Sequence, residues 1–225
     1  MAQGGSAPVQ ERYVEVPSGG VSLKGILAVP ANAVGAVLFA HGSGSGRFSP
    51  RNNYVARVLQ EAGIATLLID LLTEKEAEDR RLVFDIGLLS NRVMDAAAWL
   101  RANRDTQGLP VGYFGASTGS AAALRAAAQE GTAVAAVVSR GGRPDLAIDQ
   151  LPKVTAPTLL IVGGDDEPVV ELNRVAYDQL TGPKELVIVP EATHLFEEPG
   201  ALEEVARLAR DWFTNHFQQR LRRAA

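Results

Sequence analysis

A series of short apolar runs, each followed by a helical pattern, limits what this chain can fold into. Residues 34–40 are almost wholly apolar, and residues 65–69 and 133–138 follow the same rule. A run without polar alternation reads as a strand covered on both faces. Residues 111–114, 157–162 and 184–189 continue the series. Between them, Tyr54, Val55, Val58 and Leu59 form one apolar stripe, and Phe84, Ile86, Leu89, Val93, Met94, Ala97 and Leu100 form another near a 3.6-residue period, predicting a long helix over 82–103. Helices are also expected over 117–129, 169–180 and 201–218. At the front, residues 13–16 and 21–29 flank Pro17-Ser18-Gly19-Gly20, a hairpin signal. The pattern predicts an α/β fold: a single, mostly parallel sheet of about eight strands, an N-terminal antiparallel hairpin and helices on both faces. Residues 1–9, rich in Gly and Ser, are expected to be a flexible segment, and 10–225 one domain. About twenty residues separate the strands at 133–138 and 157–162, too few for a lid domain. The charge-dense stretch 73–81 reads as a solvated loop or a first helical turn.

Composition excludes several functions. A net charge of −4 argues against nucleic acid as partner. With no cysteine there is no thiolate nucleophile and no disulfide, and three histidines leave little for a metal centre. No run approaches the ~18 apolar residues of a membrane span, and the first residues lack a signal-peptide pattern. The default expectation is a cytoplasmic protein with no membrane partner.

The residues that carry chemistry cluster around Gly115-Ala116-Ser117-Thr118-Gly119. It joins a predicted strand to an Ala-rich predicted helix, with a serine at the tip. That is the layout of a nucleophile elbow, although alone it is equally a tight turn. Ser117 would need a base. His194 stands about five residues after the last predicted strand; His216 lies within the C-terminal helix, where a solvated position is expected; His41 ends a strand and opens a glycine loop, which it is expected to shape. His194 is therefore the candidate base. An acid must orient it, and Asp165, Asp166 and Glu167 all follow the penultimate strand; spacing does not choose among them. His41-Gly42-Ser43-Gly44-Ser45-Gly46 lacks the Lys-Ser/Thr of a phosphate loop. It reads instead as half of an oxyanion hole, with the Ser43 or Gly44 N–H as one donor and the Thr118 N–H as the other. Arg140 and Arg143, in the loop after the strand that follows the elbow, are candidate holders of an anionic substrate group.

The order Ser117, then an acid near 166, then His194, with the His-Gly loop, the Gly163-Gly164-Asp165-Asp166 motif and Ala192-Thr193-His194-Leu195-Phe196, resembles the α/β-hydrolase superfamily over residues 10–217. In size and lack of a lid it is similar to the small dienelactone-hydrolase-like branch. The resemblance implies that Asp166 is the acid. Dienelactone hydrolase itself uses cysteine, and here serine stands at the elbow. The expectation is a serine hydrolase of small carboxylic esters or lactones, needing no metal or organic cofactor and taking a small-molecule ester as its partner. The alternatives are the same triad acting on an amide, thioester or carbon–carbon bond or in acyl transfer, and a non-catalytic ligand-binding protein.

Overall fold

The computed structural model describes residues 9–224; the first eight residues of the segment expected to be flexible lie outside it, and Val9 already begins a strand. The hairpin strands β1 (Val9–Ser18) and β2 (Val21–Pro30) are longer than the apolar pattern shows, because polar residues of β1 alternate outward on an edge strand. Then come β3 (Gly35–Ala40), α1 (Pro50–Glu61), β4 (Ile64–Ile69), α2 (Glu74–Ala77), α3 (Arg80–Val83), α4 (Ile86–Ala102), β5 (Val111–Ala116), α5 (Thr118–Glu130), β6 (Val134–Arg140), β7 (Thr158–Gly163), α6 (Glu167–Gln179), β8 (Lys184–Val189) and α7 (Ala201–Ala224). The strands form one sheet in the order β1-β2-β4-β3-β5-β6-β7-β8, parallel from β4 onward. Between β6 and β7 the chain makes only 3₁₀ turns, Pro144–Lys153, with Ala147 and Leu151 buried. There is no lid domain among the described residues.

Every residue of β3, β4, β5, β6 and β7 is buried. Alternate side chains feed two cores. On one face, Leu38, Leu67, Tyr113 and Val137 pack with Val93, Ala97 and Leu124 of α4 and α5. On the other, Val37, Phe39, Phe114 and Val138 pack with Leu59 of α1 and Val205, Phe213 and Phe217 of α7. Phe217 of α7 lies over Gly35, where a Cβ would fall 2.1 Å from its ring.

Two expectations are corrected. The long helix does not start at 82. Asp85 caps α4 by accepting the Leu88 N–H at 2.9 Å, and residues 80–83 form a separate turn capped by Asp79, so Leu82 only continues the apolar period without belonging to that helix. The 73–81 stretch, expected as a solvated loop or a first helical turn, does form short helical turns and is mostly exposed, but one of its charges is not solvated. Thr73 and Glu76 form a capping box, and Glu76 reaches across to Arg92 of α4, whose side chain is 4% exposed, through two bonds of 2.7 and 2.8 Å. Arg92 also donates to the Leu71 carbonyl at 3.1 Å.

The Arg92 guanidinium, helped by Thr73, holds the Glu76 carboxyl down to about 2 from its usual 4.5. A carboxyl depressed in the folded state stabilises it fully above 4.5, and that contribution is lost as pH falls toward 2. Glu76→Gln should flatten the stability–pH slope below 4.5. At pH 7 it should also lower stability by about 3 kcal/mol, since Arg92 stays buried and charged; calorimetric melting should then show a Tm about 6–12 °C lower.

Candidate active site

Ser117 sits between β5 and α5 at φ 50°, ψ −122°, a conformation that a residue with a side chain rarely adopts. The flanking glycines allow it. A Cβ on Gly115 would lie 2.4 Å from the Ser120 Cα, and one on Gly119 would lie 2.2 Å from the Ala40 carbonyl oxygen. Gly115 thus admits the helix, whereas Gly119 admits the end of β3. Two backbone bonds, from the end of β6 and from the loop after it, hold the serine: its N–H donates to the Arg140 carbonyl at 3.2 Å, and its carbonyl accepts the Arg143 N–H at 3.1 Å.

His194 is held against the same loop, with the Gly141 Cα hydrogens facing its ring; a Cβ there would lie 3.5 Å from Nδ1. Its Nδ1 lies 2.6 Å from Asp166 Oδ2. The loops carrying the two residues are joined by the Asp165 N–H donating to the Ala192 carbonyl at 3.0 Å. Asp166 is the N-cap residue of α6, yet its side chain accepts no helix N–H and is turned to His194. Its charge remains beside the positive end of the α6 dipole. Ser117 Oγ makes no hydrogen bond to His194 among the described residues; such bonds often close only around substrate.

The glycine loop after β3 is fastened at both ends. His41, half-buried, receives the Leu71 N–H on Nε2 at 2.9 Å, so its other nitrogen carries the proton and donates to the Gly42 carbonyl at 2.8 Å. That fixes the Gly42–Ser43 peptide, whose N–H donates to Thr118 Oγ1 at 3.0 Å. At the far end, Asp70 accepts the Arg47 N–H at 2.6 Å and pairs with its guanidinium. Gly42 passes so close to Ser117 that a Cβ on it would be 3.0 Å from the serine Cβ. Sequence reasoning found His41 as a loop-shaping residue and missed the Asp70–Arg47 clamp; an acid at the end of β4 was its one signal.

A cavity of about 690 Å³ opens beside this loop, with Ser43, Thr118, Phe48 and Arg51 on its wall, and Leu72, Ala77 and Val83 from the 71–83 segment. That segment therefore borders the cavity. The two loop arginines diverge. Arg143 is paired with Asp145 through bonds of 2.9 and 2.8 Å, whereas Arg140 is buried beneath Phe196. His216, expected to be solvated, is partly buried edge-on against Trp212, with ring centroids 4.5 Å apart, far in sequence from every strand-end loop.

The strand order, the elbow and the histidine–aspartate pair at one sheet edge define an α/β hydrolase, and the chain belongs to that family: residues 33–209 match the model of an alpha/beta hydrolase domain. The crystal structure of a dienelactone hydrolase from Anabaena variabilis is 62% identical, covers 92% of this chain and 98% of its own, and superposes with a TM-score of 0.90. Est1E from Butyrivibrio proteoclasticus shares the fold at 17% identity, with a TM-score of 0.79 over 92% of this chain and 99% of its own. Proteins from two strains of Mycobacterium tuberculosis, provisionally named phosphoribosyl transferases, are 58% identical over 210 residues, 93% of this chain. The chain spans 47% of their length. No helix among the described residues is long and apolar enough to cross a membrane.

Burial pushes the His41 imidazole below its usual 6.5. A histidine depressed in the folded state stabilises it fully above 6.5, and that contribution is lost as pH falls through the lowered value. His216 is shifted the same way by burial. The part of the acid-side slope that vanishes in His41→Gln, in urea unfolding from pH 7.5 to 5, therefore isolates His41; an unchanged slope would mean that the ring is not held neutral by the loop.

Proposed function

We propose that the protein is a serine hydrolase that cleaves small carboxylic esters or lactones through an acyl-enzyme on Ser117. The observation that carries this reading is the Nδ1-to-Oδ2 pair of His194 and Asp166, at 2.6 Å, beside a serine on a strained elbow. Asp166 keeps the Nδ1 proton in place and leaves Nε2 free to take the Ser117 proton as Oγ attacks the carbonyl carbon. The oxyanion meets the N–H of Thr118, the first residue of α5, and the N–H of Ser43 once Thr118 Oγ1 turns aside. His194 returns the proton to the leaving alcohol. It then activates water to break the acyl–serine ester, and Ser117 recovers its proton. The cavity beside the Gly42–Ser43 loop offers room for a small substrate. This reading takes 10–225 as one catalytic domain. It names no cofactor, and it takes the cell interior as the protein's location. The transferase name of the mycobacterial relatives belongs to proteins about twice as long, and the stretch they share with this chain contains the hydrolase domain.

Ser117→Ala should lower kcat/KM for a short p-nitrophenyl ester by about 10⁴-fold or more, and Asp166→Asn by about 10⁴-fold through the wrong histidine tautomer. A fluorophosphonate should label the folded wild type at Ser117. Absence of label together with absence of turnover on an ester, lactone, amide and thioester panel would favour a ligand-binding protein instead.

A further inference from the structure

Asn173 lies midway along α6 and is fully buried, a costly place for a primary amide. Its Nδ2 donates to the Val169 carbonyl at 2.8 Å and to the Gly142 carbonyl at 3.0 Å. Both partners are carbonyl oxygens, so only the NH2 end of the amide can face them. The first bond runs four residues back along the helix and fixes the side-chain rotamer. It thereby aims the second N–H out of α6, at the loop after β6. The Oδ1 is sealed from solvent and meets no donor among the described residues. A buried acceptor without a partner destabilises the fold, and an apolar side chain of the same shape would avoid that cost. Such a side chain could not donate to Gly142.

The Gly142 carbonyl belongs to the same peptide unit as the Arg143 N–H, which donates to the Ser117 carbonyl. That unit is planar, so a bond that orients its C=O also orients its N–H. Behind it, Gly142 rests on a buried pair of hydroxyls, Ser120 and Ser139, whose oxygens are 2.5 Å apart. A Cβ on Gly142 would fall 2.0 Å from the Ser139 Oγ, and the preceding residue, Gly141, faces the His194 ring. On the helix side, Asn173 stands two turns after Asp166 on the same face. Val169, which accepts its first bond, donates its own N–H to the Asp166 carbonyl at 2.9 Å. With the Asp166 carboxylate turned to His194, α6 begins without a side-chain cap, and its placement rests on bonds such as these. We propose that Asn173 is a positioning residue: its amide locks the helix that carries Asp166 to the peptide that holds Ser117, and so sets the spacing between the two ends of the triad. It touches none of the reacting groups. This rests on the serine-hydrolase reading above and adds to it the residue that keeps its parts in register. A misplacement of about 1 Å between reacting groups can cost about a hundredfold in rate.

Asn173→Leu keeps the shape of the side chain and removes its donors; Asn173→Ala serves where leucine does not fold. Each variant is assayed at the same interval below its own Tm, so that lost stability is not read as lost activity. With a short p-nitrophenyl ester, kcat should fall about tenfold or more, while KM stays within about twofold. Phosphonylation of Ser117 by a fluorophosphonate should slow by a similar factor. In proton NMR, the far-downfield resonance of the His194 Nδ1 proton, assigned by its loss in His194→Gln, should move or broaden. An unchanged kcat and labelling rate in the folded variants, even with a lowered Tm, would overturn the proposal and make Asn173 a packing residue only. If the wild type neither cleaves esters nor takes the label, the serine-hydrolase reading fails. The NMR signal then still decides the role of Asn173, and a resonance that stays in place overturns it.

Discussion

The strained backbone at Ser117 is the constraint on which the rest of this structure depends. A residue with a side chain at φ 50°, ψ −122° costs about 1–3 kcal/mol and persists only where its surroundings hold it. Here the surroundings are strand ends. The Arg140 carbonyl and Arg143 N–H grip the serine peptide from the β6 side, and the Ala40 and His41 carbonyls crowd Gly119 from the β3 side. Those contacts exist because Ala40 is in register with Gly115 and Ala116 with Arg140. A slip of one residue in either pairing would remove them and turn buried side chains to the wrong face. Ser117 is therefore positioned by the sheet, and the apolar packing on both faces that fixes the register also fixes the serine.

The legible parts of the sequence are those where one residue type carries one local meaning. Unbroken apolar runs located the central strands, the glycines of the elbow had a steric reason, and His41 was recognisable as a loop-shaping residue because it ends a strand and opens a glycine run. What was hidden depends on pairs distant in the chain. Glu76 looked like one more charge in a solvated stretch, because its partner Arg92 lies on the opposite side of a helix start. Arg47 and Asp70 fasten the glycine loop, yet nothing near either residue announces the other. Arg140 and Arg143 looked equivalent, three residues apart in one loop. Their difference is burial under Phe196, set by which face of β6 the last side chain takes.

The loop fastenings use two chemistries. At its start, a neutral imidazole bridges two backbone groups, so the bridge depends on the ring staying unprotonated. At its end, the fastening is an ion pair between half-buried side chains. Together they leave the Gly42–Ser43 peptide little freedom, so on the proposed chemistry it is the Thr118 hydroxyl that must turn aside.

That exchange bears on how a hole of this kind can favour a transition state. In the resting arrangement the Ser43 N–H is satisfied by the Thr118 hydroxyl at 3.0 Å, so it carries no desolvation penalty while the site is empty. Replacing that hydroxyl by a neutral ester carbonyl swaps one ordinary hydrogen bond for another and gains little. Replacing it by an oxyanion gains more, because a charge-assisted bond is roughly twice as strong as a neutral one. The difference appears only as the carbonyl becomes tetrahedral, which is the condition for binding energy to raise kcat and not merely lower KM. On the proposed chemistry, a hydroxyl that closes the hole at rest thus acts as a reference that the ground state barely beats and the transition state beats clearly.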